Sequence, residues 1–487
     1  MRDERPETRR FVAVAAATAA FGVFYVVFAR AALHAFPFSG DEYSYLLQAE
    51  LFARGMLHAP TPAHAELLRV DHVILAPWVC SKYPPGASAL LALGVKAGAA
   101  WLVTPLEGVV SLVAMAFAAR RLLAPRETLL AVCLLGAAPL FAFQAASFFS
   151  HTAATMWLAV AFALAVGWTL DGGAWRMLVA GACIGCAFLT RPLDALLFGA
   201  ALLSLRAVRP VVLAAAAAAP FAALLLAYQS AQFGSPFTDG YTAYEPTFRA
   251  IYGAHTAGAP LSLANLVDPE QLWHHLDIVR SFLVDWTVPG AALLALLGWA
   301  VLARDDDARR ARALAATIAL LFAVSLFVTI GGTDDGARPR YLSIVLLPMA
   351  WLGARGWTSA RAILDERLPR ALVRCVGVAV WVIPVIQLGA FVVQRTPELW
   401  EREGLFQAVA KENVRGVVVV RAEYPTRYAR NGPFFDRDVL FVSAPAEMSA
   451  LDVARAFPGR DVWEAREGKT WSLEKEATSP EEKSEPR

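Results

Sequence analysis

The chain has 487 residues, of which 57% are hydrophobic and only 18% charged, and its mean hydropathy is +0.48. A water-soluble globule of that composition would leave much apolar surface exposed, so a lipid bilayer is the solvent this sequence demands. The formal charge of +2, with no basic run carrying interleaved aromatics, gives no footing for a nucleic-acid partner.

A helix needs ~20 mostly apolar residues to cross ~30 Å of hydrocarbon. Eleven runs read as spans, at 11–33, 101–123, 127–147, 152–170, 174–190, 193–206, 210–230, 287–303, 312–331, 340–358 and 371–394. The run at 193–206 is the shortest. Segment 84–100 is also apolar, but it opens on two prolines and carries Lys96, which reads as an interfacial or re-entrant helix. Arginine sets the orientation. With the N-terminus in the cytoplasm, Arg2, Arg5, Arg9, Arg10, Arg120, Arg121, Arg126, Arg176, Arg206, Arg209, Arg304, Arg309, Arg310, Arg312, Arg355, Arg361, Arg367 and Arg370 all fall inside. Counting 84–100 as a span would invert everything after it. An odd number of spans puts the C-terminus outside, and the alanine- and arginine-rich composition fits a GC-rich bacterial genome, so the inner (cytoplasmic) membrane is the expected location.

The outer loops 34–100 and 231–286 are long, and beyond residue 394 the composition changes. VRGVVVV (414–420) and DVLFV (438–442) read as buried strands, 447–457 as a short helix and 461–473 as a last strand. The expected organisation is therefore an all-α polytopic membrane domain over 1–394, a small extracytoplasmic α/β cap over 395–475 and a disordered tail over 476–487. Cys183 and Cys186 form a CxxC inside an apolar span, where neither zinc nor redox chemistry fits.

The unusual polar groups collect at one depth. GDE (40–42), SKYPPG (81–86), SFFSHT (147–152), TRPLD (190–194), FGSPFTDGY (233–241) and TDDGARPRY (333–341) all belong to the outer face. The span middles are almost free of ionisable residues, with Glu107 and Asp194 near outer ends the closest exceptions, and this weighs against an ion-coupled transporter. Asp41 can be read as the N-cap of an amphipathic helix or as a general base, and a second acid, Glu42, stands beside it. Lys82, Arg191, Arg338 and Arg340 can be interfacial anchors, yet together they offer cations on the face that holds the acids, which suits an anionic leaving group such as a phosphate. His151 opens a helix, where capping and catalysis are both open to it. No histidine spacing fits a metal site.

These motifs resemble the bacterial family 39-type glycosyltransferases of the GT-C superfamily, relatives of the protein O-mannosyltransferases and the lipid A aminoarabinose transferases. The likeness covers roughly residues 10–360, with GDE and KYPPG its most specific parts. It implies a multi-span helical fold with an outer-facing cavity, in keeping with the about 11 transmembrane helices read from the apolar runs. It further implies transfer of a sugar from a polyprenyl-phosphate donor to a hydroxyl of a lipid, glycan or protein acceptor. By position, Asp41 corresponds to the catalytic acid with Glu42 accompanying it, and Lys82 to the lysine that meets the carrier phosphate. In the aminoarabinose transferases that lysine directly precedes the two prolines, whereas here Tyr83 intervenes. Arg191 and Arg340 complete the expected phosphate site, with Tyr83, His151, Asp194 and Arg338 in support. Asp41 and Glu42 could ligate a divalent metal or act without one. The competing expectations are a lipid-linked oligosaccharide polymerase or ligase, and a flippase or other transporter.

Overall fold

The computed structural model describes residues 5–252, 269–329, 338–422, 426, 428, 430–445, 447–468 and 470–477. Helix α1 (Arg5–Ala31) leads into a unit on one face of the bundle. This unit consists of α2 (Gly40–Ala53), β1 (Ala59–Pro60), β2 (Val73–Ile74), β3 (Trp78–Ser81) and α3 (Pro85–Lys96). Its strands form an antiparallel sheet in the order β1-β3-β2. The chain then runs through α4 (Val103–Ala119), α5 (Pro125–Gly136), α6 (Pro139–Gln144), α7 (Ser150–Asp171), α8 (Ala174–Thr190), α9 (Pro192–Ala201) and α10 (Val208–Phe233). After α11 (Gly240–Tyr252) and α12 (Pro269–Asp285) come α13 (Ala291–Leu302), α14 (Arg309–Thr329), α15 (Leu346–Arg367) and α16 (Arg370–Lys411). Strands β4 (Gly416–Arg421) and β5 (Val439–Val442), helix α17 (Ala450–Ala456) and strands β6 (Val462–Arg466) and β7 (Ser472–Ala477) close the chain.

The protein is a multi-pass membrane protein built from helices. Every apolar run expected to span contains helix, and among the described residues six helices are long and apolar enough to cross a bilayer by length and composition. Several of the others are broken. The run 127–147 splits at Pro139, which lacks an amide hydrogen and starts α6 afresh. The run 193–206 is α9 followed by a 3-10 turn, Leu202–Leu205, that ends at Arg206 in the left-handed region. Helix α3 has 12 residues and rises about 18 Å at 1.5 Å per residue, too short to span, as its prolines and Lys96 led one to expect.

Small residues let the helices close on one another. A side chain at Gly298 would come within 1.9 Å of the Leu352 carbonyl, and one at Gly356 within 1.8 Å of the Leu294 carbonyl, so α13 and α15 meet backbone to backbone. At the loop-bearing face, a Cβ at Gly86 would sit 2.3 Å from Thr190 Oγ1. The glycine of KYPPG is thus what allows α3 to dock on the end of α8, directly beside Arg191.

The C-terminal sheet has the order β5-β4-β6-β7, with β4 parallel to β5 and β6, and β7 antiparallel to β6. Two details differ from expectation. The last strand expected at 461–473 is a hairpin, β6 and β7, turning near Gly468, and β7 extends to Ala477, past the start of the expected tail; residues 478–487 lie outside the described residues. The boundary expected at 394 falls inside α16, which runs from the bundle into the cap because Leu405 and Val409 bury themselves in the cap's core. That core is shared with α2: Tyr43, Leu47 and Leu51 pack in one cluster with Leu67, Val79, Val417, Val419 and Val442. Ser443 N donates to Leu67 O at 2.9 Å and Arg437 pairs with Glu50 at 3.2 Å across the same seam.

Candidate active site

The first turn of α2 separates the two neighbouring acids. Ser39 is the N-cap, its hydroxyl accepting from Glu42 N at 3.2 Å, and Glu42 closes the capping box by accepting from Ser39 N at 3.1 Å and Ser39 Oγ at 3.0 Å. The Glu42 carboxylate also accepts from Phe38 N at 3.2 Å and from Phe148 N at 2.8 Å. Burial pushes its carboxyl up to about 7 against these donors. Glu42 was expected to assist Asp41 at the acceptor or a metal; its oxygens are instead spent on backbone amides and a serine hydroxyl. Ser39 also relieves Asp41 of capping.

The Asp41 carboxylate turns to a different set of neighbours. It accepts a hydrogen bond from the Tyr83 hydroxyl, its Oδ2 lies 3.8 Å from Arg340 Nη2, and its Oδ1 lies 4.0 Å from His72 Nε2. Burial opposes its ionisation, but His72 when protonated, Arg340, Lys82 and the Tyr83 hydroxyl outweigh burial and hold the carboxyl well below the usual carboxylate range. Lys82 is buried, with Nζ facing the rings of Tyr83, Tyr241 and Tyr244 at 5.1, 4.9 and 4.9 Å from their centroids. Burial pulls its ammonium down to about 8, with Asp41 and Asp71 holding it up and Arg340 pressing it lower.

His72 was not among the site residues expected from the sequence, where it counted only as one of the histidines without metal-ligand spacing. Its backbone sits in the left-handed region at φ 64°, uncommon outside glycine though less so for histidine than for most residues, and its surroundings hold it there. Three hydrogen bonds do so: its amide donates to Tyr244 Oη at 2.9 Å, and its carbonyl accepts from Ser44 Oγ at 2.7 Å and from Lys82 N at 3.3 Å. The ring fits because residue 40 is glycine, where a Cβ would come within 2.7 Å of Asp71 Cβ and 3.0 Å of His72 Cδ2. Burial pushes the imidazole down to about 4, with Lys82 adding to it, so the ring is neutral at physiological pH and the charges on Asp41 are then those of Arg340 and Lys82.

A second group adjoins this one through Arg340 and Tyr341. The Arg340 guanidinium lies 5.2 Å from the Phe149 ring centroid and 5.4 Å from that of Tyr341, and Arg191 lies 5.4 Å from Tyr341 on its own side. Arg191 is engaged by Asp194 at 2.6 Å. His151 is buried with its ring edge-on to Phe149 and Tyr341, and among the described residues neither ring nitrogen has a hydrogen-bond partner. Tyr45 bonds Ser150 Oγ at 2.9 Å and packs on Tyr83 at 4.5 Å between ring centroids. The Arg338 side chain lies outside the described residues. The structure therefore gathers Asp41, Lys82, Tyr83, His72 and Arg340 directly, and brings Arg191, Asp194 and His151 to the adjoining wall. Among the described residues no three His, Cys, Asp or Glu side chains lie close enough to hold a metal ion, and a carboxylate already ringed by cations is a poor ligand set for one.

The chain is a helical bundle with the α2–α3 unit on one face, an acid on the first turn of α2 and a small C-terminal sheet. Solved structures carry the same fold. ArnT from Cupriavidus metallidurans in the apo state matches with a TM-score of 0.54 at 15% identity, over 92% of this chain and 93% of that one. The same protein bound to undecaprenyl phosphate matches with a TM-score of 0.54 at 14% identity, over 92% of each chain. The archaeal oligosaccharyltransferase AglB from Archaeoglobus fulgidus, in complex with an inhibitory peptide and a dolichol-phosphate, matches with a TM-score of 0.50 at 10% identity. That match covers 88% of this chain but 64% of AglB, so the chain spans less than two thirds of its length. No family model and no curated protein matches the chain by sequence.

Proposed function

We propose that the chain is a GT-C-type glycosyltransferase of the bacterial inner membrane, moving a sugar from a polyprenyl-phosphate donor to an acceptor hydroxyl on the outer face with inversion. One observation carries this reading: a carboxylate on the first turn of α2 is held by Tyr83 between two buried cations, Arg340 and Lys82. In the proposed reaction the acceptor oxygen attacks the anomeric carbon while the bond from that carbon to the phosphate oxygen breaks. The polyprenyl phosphate departs with the electron pair, and the hydroxyl proton passes to Asp41.

The electrostatics supply an order of events. With Arg340 and Lys82 directed at it, Asp41 is a weak base. A donor phosphate entering the site is the stronger partner for both cations, and as they turn to it the Asp41 carboxyl returns toward its ordinary range. The base is thereby activated only when donor is in place. Tyr83 keeps the carboxylate oriented through the exchange, and Glu42 holds the turn on which Asp41 stands. Arg191, tied to Asp194, is a secondary phosphate contact, and His151 faces the same wall. The acceptor is a lipid, glycan or protein. The residues present do not fit a divalent metal. Residues 395–475 serve as a cap that braces α2 from outside.

The test is to incubate purified protein in nanodiscs with a radiolabelled polyprenyl-phosphate sugar and a candidate acceptor. Label transfer with release of polyprenyl phosphate is expected. Movement of intact donor between leaflets without cleavage would overturn the reading in favour of a flippase. The orientation is checked separately by reporter fusions, cytoplasmic after Arg126 and Arg312 and outer near Asp239 and after residue 400.

A further inference from the structure

On the opposite side of α2 from Asp41 lies a cavity of about 590 Å³. Its apolar wall is made by Leu46, Ala53, Val95, Trp101 and Phe148, and its rim carries Glu50, Arg54 and Lys96. The rim acid is occupied, since Glu50 pairs with Arg437 at 3.2 Å. The cations are not: among the described residues neither Arg54 nor Lys96 has a carboxylate partner, and Arg54 stacks at 4.4 Å on Phe434 instead. A third cation, Arg30, lies 5.0 Å over the Trp101 ring. The depth of the cavity follows from its neighbours. Ala35 lies just beyond the end of α1, and Ala100 and Trp101 just before the start of α4, so the cavity sits where two apolar helices leave the bilayer on the face that holds Asp41. An exposed Leu93 and the exposed Leu106 and Val110 of α4 continue the apolar surface along the membrane side.

We propose that this cavity is a site for an anionic phospholipid of the leaflet facing the Asp41 side, its phosphate received by Arg54 and Lys96 and its chains lying along α4. Cations without carboxylate partners around an apolar recess at headgroup depth complement a lipid phosphate, and a tryptophan belongs at that level. The site is separate from the proposed donor-phosphate cluster, because Leu46, Glu50 and Ala53 project from the face of α2 opposite Asp41. A bound lipid there would steady α2 and α3, the two helices that carry Asp41 and follow Lys82.

The experiment is native mass spectrometry of the full chain released from nanodiscs containing equal phosphatidylglycerol and phosphatidylcholine. Wild type should retain phosphatidylglycerol in preference. An Arg or Lys near an anionic headgroup contributes roughly five-fold each, so the doubly substituted R54Q/K96Q protein should lose most of that preference. R54K/K96R, which keeps both charges, should retain it. Leu46→Trp, which fills the recess without touching charge, should also lose it, with circular dichroism confirming that each variant is folded. An unchanged preference in folded R54Q/K96Q would overturn the site, as would an undiminished preference in folded Leu46→Trp. Neither outcome bears on sugar transfer, which is measured apart.

Discussion

Two carboxylates, each met by an arginine, stand on the first turns of α2 and α5, Asp41 half-buried and Glu127 buried. Glu127, on the first turn of α5, accepts from Arg355 Nη1 at 2.9 Å, from Thr358 Oγ1 at 2.6 Å and from Ala124 N at 2.9 Å, so both its oxygens are engaged at full hydrogen-bond distance. Asp41 stands 3.8 Å from Arg340 and 4.0 Å from His72. The Glu127 site is closed: removing a partner would strand a buried charge, and nothing is gained by exchange. The Asp41 site holds its cations near enough to tune the carboxylate, and the proposed function requires that they be loose enough to turn to a phosphate. The same residue types, at contacts about an ångström apart, thus make a structural clamp in one place and, on the proposed reading, a chemical site in the other.

The sharpest way to break this contrast is Asp41→Asn. If Asp41 accepts the proton, transfer measured in a single turnover should fall by ~10²–10⁴-fold in protein that folds normally. Because Ser39 caps α2, the substitution leaves the helix start intact, and a fully active Asp41→Asn protein would move the base elsewhere.

Next come the cations. Charge-assisted contacts to a phosphate contribute ~1.5–3 kcal/mol each, so Lys82→Gln and Arg340→Gln should each weaken donor use about ten- to a hundred-fold. Arg191→Gln should do less, since Arg191 is already committed to Asp194 at 2.6 Å. Equal losses in all three would mean that Arg191 leaves Asp194 when donor binds. A smaller effect follows from pH. Burial holds the Lys82 ammonium at about 8, so its charge is present below that pH and lost above it. Donor KM should therefore rise above about pH 8 in wild type and stay flat in Lys82→Arg, whose guanidinium keeps its proton.

Much of this was legible in the sequence, for a definite reason. Charged residues cannot stay in the hydrocarbon, so GDE, KYPPG, TRP and RPRY are forced to span ends, and arginine bias sorts those ends onto two faces. His72 was not legible, because its left-handed backbone is imposed by Tyr244, Ser44 and Lys82 from three separate segments. Likewise, α16 continues past Pro397 because its end is buried in the cap, a tertiary gain that outweighs a local helix breaker. The role of Glu42 is a different case. Ser39-Gly40-Asp41-Glu42 carries the serine-to-glutamate spacing of a capping box, so the signal was present but was overshadowed by the two adjacent acids.

Glu42→Gln sharpens the comparison at its smallest expected effect on catalysis. Glu42 resembles Glu127 rather than Asp41: its Oε1 accepts from Phe148 N at 2.8 Å and its Oε2 from Ser39 N, Ser39 Oγ and Phe38 N at 3.0–3.2 Å. A glutamine has one acceptor oxygen, so whichever way its amide turns, its NH₂ faces donors that have lost their partner. Each such buried donor costs ~1–3 kcal/mol. The expected outcome is a clear loss of stability in a detergent melt, matched by Glu127→Gln, with transfer per folded molecule unchanged in both. A Glu42→Gln protein that melts like wild type but transfers poorly would reverse the assignment. Glu42 would then belong with Asp41 in the chemistry, and the capping geometry would describe only its resting position.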